Sequence, residues 1–170
     1  MSFREAIAFT QQWLQKVEQS ELTETEVLAD MTELLSYPNG VRGFFVVYLT
    51  GASPLADQPP ATFLKGFRAT ASTISSILVK NVAMSTAMAI THKRNNDSEQ
   101  QAASETVQRR SLQLLQSLES EQRDDVFKQE RLQLLKATQT EAGDYADFLD
   151  RWNYDAEQRQ AIQSALENIN

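Results

Sequence analysis

The sequence predicts an all-α protein: a single helical bundle of about seven or eight helices, some short, around a central and nearly all-apolar helix at residues 72–92. Three observations lead there. Helical spacing of apolar residues covers most of the chain, with no repeating period. One run alone has strand propensity, and no second run exists to pair with it. Residues 72–92 are apolar nearly all round, which is the pattern of a helix that others enclose.

The elements follow in order. Ser2 and Glu5 have capping-box spacing, and Phe3, Ala6, Ile7, Thr10, Trp13, Leu14 and Val17 then share one helical face. Thr23 and Glu26 repeat the box ahead of a stripe of Val27, Leu28, Met31, Leu34 and Leu35. That helix is expected to stop at Tyr37, because Pro38-Asn39-Gly40 is a breaker and turn signal. Phe44 to Leu49 reads as a strand by propensity. A lone strand would leave its backbone groups unpaired, so Val41–Leu49 is read as a short buried helix. Thr50 to Pro60 is a loop, with Pro60 expected as the first residue of the next helix.

Residues 61–96 are helical, with a break expected near Arg68 to Ser72. Asn95 to Ser98 makes a turn able to cap the helix at 98–118, whose seam is Ala103, Val107, Ser111, Leu114 and Leu118. Asp124 to Thr138 carries Phe127, Leu134, Leu135 and Ala137. Gly143 punctuates, and Tyr145, Phe148, Leu149 and Trp152 follow at i, i+3, i+4 and i+7. Asp155 and Gln158 have capping-box spacing before Ile162, Ala165, Leu166 and Ile169. The whole chain, residues 1–170, is expected to be one domain.

Composition narrows the chemistry. With no cysteine there is no disulfide framework, thiol catalysis or iron–sulfur ligation. The single histidine, His92, cannot supply the paired E-x-x-H motifs of a di-iron bundle. P-loop, dinucleotide-binding and G-x-S-x-G signatures are absent. A formal charge of −7 argues against nonspecific nucleic-acid binding. The N-terminus lacks the apolar core of a signal peptide. Lys80 and Asn81 near the middle of the apolar stretch argue against a membrane span, so a cytoplasmic location is expected.

Charge is unevenly placed. Residues 1–60 balance at −5 and residues 97–170 at −7. Residues 61–96 hold Lys65, Arg68, Lys80, Lys93 and Arg94 with no acid, a balance of +5. On the wheel of the central helix, Asn81, Ser85 and His92 fall on the apolar face with Met84 and Met88. Asn81, Ser85, Met88 and His92 are candidate ligand-binding residues. The competing reading makes the polar ones core groups satisfied by backbone. His92, Lys93 and Arg94 suit a helix C-terminus electrostatically and are also candidates for a partner contact. Lys80, if enclosed, must reach solvent along its stem or pair with an acid from another helix. Phe9 and Leu112 lie off the main stripes of their helices and mark a second candidate contact surface.

Three acidic pairs at i, i+3, namely Glu21/Glu24, Glu121/Asp124 and Glu141/Asp144, could serve magnesium chemistry only if two of them converge. Acids at helix starts also simply suit the dipole. The expected function is therefore a noncatalytic helical protein-interaction module: a regulator, adaptor or assembly factor. It would use a protein partner or homodimer and no cofactor. The alternatives are a small-ligand-binding bundle with its pocket beside the central helix and, further off, a magnesium-dependent carboxylate enzyme.

Overall fold

A computed structural model describes residues 1–169. Among these residues every regular element is helical. The chain forms two compact units, one from Met1 to Ile77 and one from Leu78 onward.

The first unit contains α1 (Phe3–Glu18), α2 (Glu24–Leu34), α3 (Pro38–Thr50), a 3-10 turn (Pro54–Ala56), α4 (Ala61–Ala69) and the opening turns of α5 (Ala71–Arg94). Both expected capping boxes form: the Ser2 hydroxyl accepts from the Glu5 N–H, and that of Thr23 from the Glu26 N–H. Val41–Leu49 is helical as expected, inside α3. The expected turn at Pro38-Asn39-Gly40 is corrected: these residues are the first turn of α3. Proline at the first helical position gives up an N–H that has no intrahelical partner anyway, so it starts a helix as readily as it stops one. Pro60 is likewise corrected, since it caps α4 from outside and the helix begins at Ala61. The break near Arg68 to Ser72 falls at Thr70, between α4 and α5.

Packing in this unit is aromatic and close. Trp13, Phe44, Phe45, Tyr48, Phe63 and Phe67 form one connected set of rings with centroids 5.1–6.4 Å apart. Each buried ring contributes roughly 1.5–3 kcal/mol through area removed from water, with a further increment from ring geometry. α3 lies on α1 at Gly43, where an added Cβ would stand 2.5 Å from that of Ala6. The polar handles are satisfied: the Trp13 indole N–H donates to Asp30 at 3.0 Å, and the Tyr48 hydroxyl to the Leu55 carbonyl at 2.7 Å.

The second unit contains the rest of α5, α6 (Ser98–Leu118), α7 (Val126–Thr140), α8 (Asp144–Arg151) and α9 (Ala156–Glu167). Asp97, Asp125 and Asp155 cap α6, α7 and α9 through their side chains. Gly143 takes φ of 99°, a backbone state that strains other residues, and α8 starts directly after it. α7 packs on both α8 and α9. The core here is mostly aliphatic: Leu78, Val82, Leu114, Leu118, Leu134, Leu149, Ile162 and Leu166 are all buried.

Candidate functional site

α5 carries the candidate residues because its sequence is apolar enough to sit in a core. By length and composition alone it is long and apolar enough to cross a membrane. Its burial is nevertheless one-sided. Leu78, Val79, Val82, Ala83 and Ala87 are fully buried, whereas Met88 is 40% exposed and Asn81, Met84 and His92 are half-buried. At 100° per residue, Asn81, Ser85, Met88 and His92 lie within about 60° of arc, with Met84 beside them. The structure thus sets the four candidate residues on one side of the helix, where Met88 is exposed, Asn81 and His92 are half-buried and Ser85 is buried.

Their chemistry differs. The buried Ser85 hydroxyl donates to the Asn81 carbonyl at 2.6 Å, so it is committed to its own helix. His92 lies in the last turn, where its carbonyl accepts from the Asp97 N–H at 2.9 Å. Lys93 is exposed. Arg94 is not an open cation. Its two terminal nitrogens reach Asp155 at 2.6 Å and Glu157 at 2.8 Å, both at the start of α9. This pairing raises the guanidinium pKa and holds the Asp155 carboxyl below its ordinary range, with the Gln158 backbone N–H adding to the second effect. Gln158 carries the same contact inward: its side-chain amide donates to the Ala87 carbonyl at 3.1 Å and to the Thr91 hydroxyl at 3.0 Å. Of the expected basic trio, then, one member is used inside the fold.

Lys80 takes neither expected course cleanly. The residue is half-buried, and its ammonium lies 5.5 Å from the Phe148 ring centre and 5.9 Å from that of Tyr145. The Tyr145 hydroxyl in turn donates to Glu130. An ammonium over ring faces gains electrostatic attraction while its stem stays packed. Tyr154 follows from the same aromatic group; burial of its phenol pushes its pKa up to about 12.

The second candidate surface divides between the two units. Phe9 is an exposed side chain of α1. Leu112 lines a groove of about 440 Å³ in the second unit, together with Gln108 and Gln116 of α6, Thr86 of α5, and Ala161, Ser164, Ala165, Asn168 and Ile169 from α9 and the residues after it. No ionisable side chain lines it. Sequence reasoning singled out Leu112 but missed its neighbours, because residues 86, 112 and 161 meet only through tertiary packing. It also missed Trp152, half exposed at the end of α8, since its i, i+7 spacing from Tyr145 reads as core. The acidic pairs do not converge: among the described residues no three carboxylate or imidazole side chains come together as a metal site.

Residues 2–169 match the family described as "Uncharacterised conserved protein UCP020893", and the chain belongs to that family. No curated protein and no solved structure matches it.

Proposed function

We propose that this family member is a noncatalytic protein-interaction module, a regulator, adaptor or assembly factor, whose contact surface is the open face of α5. One observation carries the reading: the most apolar long helix of the chain leaves Met88 exposed and Met84 half-buried on one side, flanked by Asn81 and His92. Methionine is unbranched and polarizable, so such a face adapts to a partner's side chains. Burying apolar side chains of this size contributes roughly 1.5–3 kcal/mol each, enough for a small helix face to anchor a contact. Asn81 and His92 supply hydrogen-bonding groups at the edge of the face, where they orient a partner.

The test is a photo-crosslinking residue in place of Met88, with a second at exposed Gln160 of α9 as reference. A discrete protein adduct from position 88, absent from 160 and abolished by Met84→Glu, is expected. Identical adduct patterns from both positions, or an adduct indifferent to Met84→Glu, would overturn the reading.

A further inference from the structure

We infer that Met84, Met88 and His92 form a binding site for a soft monovalent metal ion, Cu(I), on the partly exposed side of α5. The first argument is placement. The chain contains four methionines, one histidine and no cysteine. Three of these five soft or borderline donors stand at i, i+4 and i+8 of one helix. Neighbours at i, i+4 lie about 5–6 Å apart at Cβ. Methionine is unbranched and has three rotatable bonds. Two thioethers and an imidazole on successive turns can therefore close on one ion, with Met88 as the middle donor. The remaining methionines are engaged elsewhere: Met31 is fully buried against Gly66, and the Met1 sulfur accepts from the Tyr37 hydroxyl.

The second argument is availability. Met88 is 40% exposed, and Met84 and His92 are half-buried, so an ion reaches the row from solvent while part of the row stays sheltered. Among the described residues the His92 imidazole has no hydrogen-bond or ion-pair partner, so its nitrogens are open to a ligand. The third argument is softness and charge. Thioether sulfur selects Cu(I), whereas magnesium and calcium want oxygen. α5 holds no carboxylate, and among the described residues no three carboxylate or imidazole side chains gather, so hard divalent ions find no matching set. Lys80 stands one turn before Met84, and Lys93 and Arg94 follow His92. Neutral donors in cationic surroundings favour a monovalent ion, because repulsion scales with the ion's charge. Binding forms coordinate bonds from two sulfurs and one nitrogen, and no electron is transferred. The site stands independently of the partner contact proposed above, although both use Met84 and Met88.

The test uses the purified full chain. Cu(I), kept reduced by ascorbate, is competed between the chain and a chromogenic Cu(I) chelator, and the chain should withdraw one equivalent. One equivalent of Ag(I), a redox-inert analogue, should shift the methyl resonances of Met84 and Met88 and the ring resonances of His92 while leaving Met31 in place. Loss of even an outer-shell partner costs roughly 10–100-fold in metal affinity. Met88→Leu conserves volume and removes the middle sulfur, so affinity should fall about a hundredfold with the circular dichroism unchanged. Met84→Leu and His92→Gln should each cost about tenfold. Zn(II) should leave the three residues unmoved. Met88 and His92 resonances unmoved by Ag(I), Cu(I) uptake indifferent to Met88→Leu, shifts confined to Met1, or equal binding of Zn(II) would overturn the assignment. None of these readouts involves a partner, so failure here leaves the protein-contact reading standing.

Discussion

The two units hold their helices together by different means. In residues 1–77 six aromatics interlock and Gly40 and Gly43 let helix backbones meet, beside hydrogen bonds from Trp13 to Asp30, Thr62 to Glu24 and Thr73 to the Leu35 carbonyl. In the second unit directed polar contacts recur between helices. Arg94 joins the end of α5 to the start of α9, Gln158 bonds two α5 groups, Lys80 lies on the rings of α8, and Arg131 of α7 reaches Glu119 at 2.8 Å and the Leu166 carbonyl at 2.9 Å. Close apolar packing tolerates no added volume. Polar contacts tolerate small shifts but suffer when one partner is removed. The second unit adds these directed contacts to its aliphatic core, and it is the unit that carries the partly exposed face of α5 and the groove beside α6.

The largest effect that can break this comparison is Gly40→Ala. An added Cβ would lie 1.8 Å from the Leu34 carbonyl oxygen, a backbone atom at the end of α2 with little room to yield. In an ordinary helix, alanine in place of glycine gains about 1 kcal/mol. Here the clash forces α2 and α3 apart, and the expected change is a loss of about 3 kcal/mol. Denaturant unfolding measures it, and hydrogen exchange should show lost protection in α2 and α3. A stabilised variant would mean that α3 shifts freely, and the first unit would not be the close-packed one.

Arg131 sharpens the contrast from the other side. Arg131 and Glu119 are each about 10% exposed, so Arg131→Ala strands a carboxylate in a nearly dry site. The expected cost is about 2–3 kcal/mol. Replacing the pair together, Arg131→Met with Glu119→Leu, removes the stranded charge and leaves the Leu166 carbonyl without this donor, a cost of about 1 kcal/mol. The two variants should therefore rank opposite to the number of residues changed. If the double variant is the less stable, the pair stabilises the second unit outright, beyond satisfying its own buried charge.

What the sequence revealed, and what it withheld, follows the same division. Helix positions were legible because their causes are local: capping boxes at Ser2, Thr23 and Asp155 sit three residues from their partners, and the apolar stripes repeat every turn. Val41–Leu49 was legible by elimination, since a strand needs a second strand. Pro38 was misread because the same residue serves a helix start and a helix stop, and only the position of Gly40 against Leu34 shows why the chain bends there. Of the candidate site, the alignment of Asn81, Met88 and His92 followed from helical periodicity. Which side of α5 stays open did not, because it depends on which helices pack on it. Arg94 read as a dipole-complementing cation, yet its partners lie 61 and 63 residues away. Lys80 was expected to reach solvent along its stem or to pair with an acid, and its ammonium lies over the rings of Phe148 and Tyr145, since no spacing rule predicts which distant side chain arrives.

The smallest effect concerns how the polar ties of the second unit respond to acid. The Arg94 guanidinium, then the Gln158 N–H, hold the Asp155 carboxyl below its ordinary value. A depressed folded pKa means that the ionised form favours folding. The contribution is fully present above the unfolded value of about 4 and disappears as pH falls through the folded value. Glu5 and Glu26 in the first unit are depressed in the same direction by the Ser2 and Thr23 N–H groups, so both units lose stability on acidification. Arg94→Ala separates the two. At pH 7 the variant should melt slightly below the unmodified chain, and the gap should close as pH falls through the depressed folded value, where Asp155 becomes neutral in both. The pair is solvent-exposed, so about 1 M salt at pH 7 should shrink the gap too. A gap that persists in acid and in high salt would mean that Arg94 stabilises through packing of its stem. The tie between α5 and α9 would then be of the same apolar kind as the contacts of the first unit.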